Sequence, residues 1–147
     1  MRPAVSPTDR EVPVMVVFDH VAIAVRRILD AEPFLRDLLG GAPGESGDGK
    51  GFTFKQFVLP GGVVELLEPK GDDSFLLRFL RDHGEGLHHI TFKVTGLRSW
   101  AEKLRADGYR VVGENYDNPA WRELFIHPKS GHGVLIQFAE TLETQDR

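Results

Sequence analysis

The chain contains no cysteine. Disulfides, thiolate metal sites and a cysteine nucleophile are thereby excluded, while nothing follows about compartment. It also lacks an apolar run of membrane-spanning length, and its opening, MRPAVSPTDREVPV, has no charged start followed by a long apolar stretch such as a signal peptide carries. A cytoplasmic, soluble protein with no membrane partner is the expectation. An excess of positive charge is missing too. The 18 lysines and arginines face 22 aspartates and glutamates, for a net charge of -4, and the basic residues are scattered, so nucleic acid is not an expected partner. What is present suffices to fold: 147 residues with 41% hydrophobic content can bury a core as one compact domain or as two small modules that share one. Three prolines and scattered charge predict a flexible tail over residues 1–14, and 141–147 is expected as a short C-terminal tail.

Along the chain, MVVFDHVAIAV (15–25) reads as a strand, followed by a helical stretch in which Asp30 can cap, Pro33 sits in the first turn and Phe34, Leu35, Leu38 and Leu39 form an apolar stripe. The next segment, APGESGDGKG, reads as a loop. FTFKQFVL and VVELLEP then flank Pro60-Gly61-Gly62 as a hairpin. DDSFLLRFLRDHG is a connecting helix within 71–84, capped by Asp73 or Ser74 and ended by Gly84. After it LHHITFKV starts a second series: a helix carrying Leu97, Trp100, Ala101 and Leu104, then YRVVGE, RELFIHP, a turn over 129–133, and GVLIQFAE.

The two series repeat one pattern. DHVAIAV at 19–25 overlies HHITFKV at 88–94 with an offset of 69, and VVELLEP overlies LIQFAE with slightly more, so 15–70 and 85–140 are two copies of a βαβββ unit. Strand alternation then sorts the polar residues. Val21, Ile23 and Val25 share one face of the first strand, and Ile90, Phe92 and Val94 one face of its counterpart; these bulky sets must meet the helices, which sends His20 and His89 to the opposite face. His88, matching Asp19, falls on the side away from His89. Glu65 projects between Val64 and Leu66, and Gln137 between Ile136 and Phe138, inside otherwise apolar strands. A mid-strand carboxylate is costly to bury unless paired or metal-bound.

Imidazole nitrogens with carboxylate and amide oxygens are the donor set for a divalent first-row metal. A single buried histidine is more often simply hydrogen-bonded in the core. Four donors at repeat-related positions favour the metal reading: His20, Glu65, His89 and Gln137, leaving open positions for a Lewis acid rather than a structural staple.

DHVAIAV, GLHHI, VELLEP and HPKSGHGVLIQF, in this order and spacing, resemble the vicinal oxygen chelate superfamily of glyoxalases, bleomycin-resistance proteins and dioxygenases, and most closely its methylmalonyl-CoA epimerase and glyoxalase I type. The likeness covers residues 15–140. It implies an α+β fold in which two βαβββ modules form a curled eight-stranded mixed sheet around a metal, with helices on the outer face. It puts the family's ligand positions on His20, Glu65, His89 and Gln137. It also implies stabilisation of an enediolate while a carboxylate, here Glu65, moves the proton next to a carbonyl, in an isomerase, epimerase or lyase. The expected cofactor is one divalent ion from among zinc, nickel, cobalt and manganese, with iron less favoured; the expected partners are a small acyl-CoA or 2-oxo substrate and a second copy of the chain in a homodimer.

Two positions depart from the family's pattern. Gln137 stands where glutamate is common, and an amide cannot shuttle protons. Lys55 and Gln56 occupy the strand where the bacterial epimerase type has a second carboxylate, leaving Glu65 as the evident one. Trp121, Arg122 and Lys55 are the candidate substrate contacts; Trp121 and Arg122 either line the mouth of the sheet or stack over its last hairpin. Two other functions fit the same scaffold: a dioxygenase with Fe(II) on two histidines and a carboxylate, and a resistance-type protein that binds a small molecule.

Overall fold

The computed structural model describes residues 15–142; the tail expected at 1–14, and that at 141–147 from residue 143 onward, lie outside the described residues. Eight strands form a single mixed, curled sheet in the order β2-β3-β4-β1-β5-β8-β7-β6. They are β1 (Val16–Ala24), β2 (Ala42–Gly49), β3 (Phe52–Leu59), β4 (Gly62–Pro69), β5 (Gly86–Val94), β6 (Val111–Asn115), β7 (Arg122–Ile126) and β8 (Ile136–Glu140). At the centre β1 and β5 run antiparallel, and each has its own module's last strand alongside in parallel, β4 next to β1 and β8 next to β5. The duplication is therefore visible as a mirrored strand order.

The first helix, α1 (Ile28–Glu32), continues as a π-helical turn over Pro33–Leu38. It begins before Asp30, whose capping role is taken over by a distant strand: the Ile28 amide donates to Glu68 Oε1 of β4 at 2.8 Å. Pro33 accordingly lies past the first turn. Ile28 and Leu35 pack with Val25, Phe57 and Leu66 on the sheet face that carries Ile23 and Val64. In the second module α3 (Leu97–Ala106) packs Leu97, Ala101 and Leu104 on Val94, Leu124, Ile126 and Phe138. These two helices cover what we term the outer face. Each fully buried Phe or Leu here contributes up to about 1.5–3 kcal/mol through apolar burial.

The connecting helix α2 (Phe75–His83) starts where Ser74 Oγ accepts the Leu76 amide, as the sequence suggests. Leu76 and Leu80 pack on Ala22, Ala24 and Leu67, with Phe52 and Phe54 alongside. Those sheet residues alternate with the outer set, so α2 lies over one end of the inner face, the face of His20.

The segment APGESGDG departs from its reading as a loop: it is β2, the edge strand paired with β3. Strand propensity is poor there, but an edge strand needs partners on one side only, which also accommodates Pro43 without its amide. On the far side of β3 the expected hairpin forms. Leu59 pairs with Gly62 across Pro60-Gly61, and Gly61 adopts φ 89°, a conformation that favours glycine.

Candidate metal centre

Register places the polar residues of four adjacent central strands side by side. His20 of β1 is opposite Thr91 of β5, Thr91 opposite Gln137 of β8, and Ala22 is flanked by Glu65 of β4 and His89 of β5. The ligand-capable atoms of His20, Glu65 and His89 all lie within 4.8 Å of one another. Donors on one ion at about 2.1 Å sit up to about 4 Å apart, so small side-chain rotations close the set. The group is buried: 2% of His20, 8% of Glu65, 7% of His89 and 5% of Gln137 is exposed. Such a concentration of buried polar groups is tolerable only if mutually satisfied or bound to a cation.

A chain of hydrogen bonds crosses the centre from one module to the other. Asp19 Oδ2 holds His20 Nδ1 at 2.7 Å, which turns His20 Nε2 toward Glu65 Oε2 at 3.3 Å and Thr91 Oγ1 at 3.1 Å. Thr91 donates to Gln137 Oε1 at 2.6 Å, and Gln137 Nε2 donates to Glu123 Oε1 at 2.8 Å. The indole of Trp121 donates to the same Glu123 oxygen at 3.0 Å. On the other flank Gln56 Nε2 donates to Glu65 Oε1 at 3.0 Å.

Electrostatics distinguish the two histidines. Burial works against a charge on His20, yet its bonds to Asp19 and Glu65 outweigh that and raise its pKa to about 9. The His20–Asp19 bond also holds Asp19 below the ordinary carboxylate value. At His89 burial dominates and, with His88 and His20 nearby, outweighs the opposing bond to Gln137, lowering its pKa to about 3 and keeping it a neutral donor. Without an ion the proton of His20 is the positive charge between two carboxylates, which is where a cation would complement the site. Donor types, spacing and charge all fit a divalent first-row metal.

His88 does not lie on the side away from His89. A register irregularity between Ala22 and Ile23 lets the strand turn there, and the His88 ring sits under α2, 4.9 Å from Phe79 by centroids. Its Nδ1 lies 2.9 Å from His89 Nδ1.

Two of the three candidate substrate contacts are on the wrong face. Lys55 pairs in register with Leu66, whose side chain is in the outer core, and its Nζ meets Glu32 of α1 at 2.6 Å. Its neighbour Gln56, opposite Glu65, takes the inner position. Arg122 alternates with Glu123 onto the outer face, where it meets Glu140 at 3.6 Å and stacks on Tyr116. Trp121 does join the inner side through Glu123, with Lys93 Nζ 5.7 Å from its ring.

Glu123 is the inner-face carboxylate absent from the sequence reading. The rule that singled out Glu65 between Val64 and Leu66 would have found it, since in RELFI it alternates with Leu124 and Ile126, both in the outer core. Burial raises its pKa, partly opposed by its bonds to Trp121 and Gln137.

Comparisons with known proteins identify the family and match the fold. Residues 19–125 match the Glyoxalase/Bleomycin resistance protein/Dioxygenase superfamily. The ethylmalonyl-CoA/methylmalonyl-CoA epimerase of Cereibacter sphaeroides is 33% identical over 132 residues, covering 83% of this chain and 96% of that protein. Among solved structures, a hypothetical protein of Bacillus halodurans superposes with a TM-score of 0.79 at 28% identity, covering 85% of this chain and 94% of the other. A methylmalonyl-CoA epimerase variant from Streptomyces coelicolor, in complex with 2-nitronate-propionyl-CoA, gives a TM-score of 0.73 at 28% identity, covering 85% and 96%.

Proposed function

Since the chain belongs to the Glyoxalase/Bleomycin resistance protein/Dioxygenase superfamily and is an enzyme of its isomerase and epimerase class, we propose that it moves a proton on the carbon next to the carbonyl of a small acyl-CoA or 2-oxo substrate, with a divalent metal at His20, Glu65, His89 and Gln137. The observation that carries this reading is the convergence of His20, Glu65 and His89 within 4.8 Å on the inner face. Zinc, nickel, cobalt or manganese suits the nitrogen and oxygen donors. When bound, such an ion supplies Lewis acidity toward the substrate's carbonyl oxygen.

The chain's own groups supply the rest. Glu65 is assigned to remove and return the proton, its carboxylate held in place by the Gln56 amide at 3.0 Å. Lys93 and Trp121, stacked at 5.7 Å, offer a cationic and an aromatic surface to the anionic and acyl parts of the substrate. An acyl-CoA is favoured because the Cereibacter sphaeroides relative carries ethylmalonyl-CoA and methylmalonyl-CoA in its name and the Streptomyces coelicolor neighbour holds an acyl-CoA analogue.

The test is proton exchange in deuterium oxide at the 2-position of a 2-methyl-substituted acyl-CoA, using protein reconstituted with each metal in turn. Metal-dependent exchange, lost in Glu65→Gln, is the expected result; no exchange with any metal contradicts the proposal. Two histidines and one carboxylate also compose the ligand set of Fe(II) oxygenases. Oxygen consumption by the iron-loaded protein, with no exchange by the others, would favour that second reading.

A further inference from the structure

We propose that Glu123 is a positioning residue that fixes the Gln137 amide with its oxygen toward the metal centre, so that the chain's second inner-face carboxylate stands one hydrogen bond away from the ligand shell instead of in it. The inference rests on the metal reading above.

A side-chain amide has two chemically different ends, and only its oxygen can bind a cation. Two rotamers of nearly equal shape are available to Gln137, so something must choose between them. Glu123 makes the choice. Its carboxylate is an acceptor, it lies 2.8 Å from the amide nitrogen, and it is itself anchored by the Trp121 indole at 3.0 Å on the same oxygen. The amide oxygen is then left on the other side, 2.6 Å from Thr91 Oγ1, which in turn is 3.1 Å from His20 Nε2. Gln137 is 5% exposed and Thr91 is fully buried, and turning the amide over would set its oxygen against the Glu123 carboxylate.

The consequence for charge is specific. A glutamate at 137 would bring a second negative ligand to the ion beside Glu65. With Gln137 the ligand is neutral and the charge sits on Glu123, held to it by a charge-assisted bond.

The experiment measures zinc affinity by chelator competition, and the visible spectrum of the cobalt-loaded protein, for wild type, Glu123→Ala, Gln137→Glu and the exchanged variant Gln137→Glu with Glu123→Gln. Partners that orient a ligand typically account for 10- to 100-fold in metal affinity. Glu123→Ala is expected to bind zinc more weakly by a factor in that range, with a shifted cobalt spectrum. Gln137→Glu presents two equivalent oxygens and needs no such choice, so it is expected to keep its zinc, and changing Glu123 to Gln in that background is expected to alter the affinity by no more than a few-fold. A merely structural role for Glu123 would cost the same in both backgrounds. Full-affinity binding by Glu123→Ala, or an equally large loss on changing Glu123 in the Gln137→Glu background, overturns the proposal while leaving the metal centre intact. A wild type that holds neither metal overturns both.

Discussion

His88 and His89, neighbours in sequence, have their Nδ1 atoms 2.9 Å apart, and in the other module Asp19 meets His20 Nδ1 at 2.7 Å in the equivalent arrangement. In each module the residue before the candidate ligand engages one ring nitrogen and so directs the other. The asymmetry is chemical: a carboxylate serves His20, a neutral imidazole serves His89.

The histidine pair predicts a graded outcome. His89→Ala should abolish stoichiometric zinc binding, because it deletes a donor. His88→Ala should retain the ion but weaken it by about 10- to 100-fold, the usual effect of removing a ligand's orienting partner. His88→Asp, which copies the Asp19–His20 pair, should bind at least as well as wild type. Chelator competition on the three proteins checks the order; equal loss in His88→Ala and His89→Ala would show that His88 is itself a donor.

Thr91 lies fully buried between His20 and Gln137. Thr91→Val keeps the shape and removes the hydroxyl, leaving two buried polar atoms without that partner. The metal-free protein should lose about 1–3 kcal/mol, read as a drop of several degrees in Tm. Added zinc should recover part of the loss, since it engages the same two side chains. A Tm unchanged from wild type without metal would contradict the role given to Thr91.

On the outer face, Lys55 neutralises Glu32, which is 8% exposed and meets Arg36 as well at 3.5 Å. Lys55→Met should destabilise the fold by about 1–3 kcal/mol, less than for an isolated buried pair because Arg36 remains and Lys55 is itself partly exposed. Zinc affinity should be unchanged. Denaturant unfolding alongside chelator competition separates the two effects, and a loss of metal affinity would return Lys55 to the site.

These outcomes bear on what the amino-acid pattern could reveal. Alternation alone placed His20, Glu65, His89 and Gln137 on one face, because regular strands impose a period of 2 and the bulky residues between them demand the helices. The same period of 2 separates Lys55 from Gln56 in FTFKQFVL and Arg122 from Glu123 in RELFI. His88 is a different case: a local register shift breaks the period, and nothing in GLHHITFKV announces it. Nor does APGESGDG announce β2, whose pairing is imposed by β3 rather than by its own residues. The capping of α1 by Glu68 is a contact across 40 residues of chain, outside the reach of any local signal.

Zinc titration of the metal-free chain, followed calorimetrically for wild type and for His20→Ala, tests the central claim most directly. One ion per chain is predicted for wild type, with stoichiometric binding lost in the variant. No binding by wild type, or equal binding by both proteins, would contradict a metal centre built from the paired strands of the two modules.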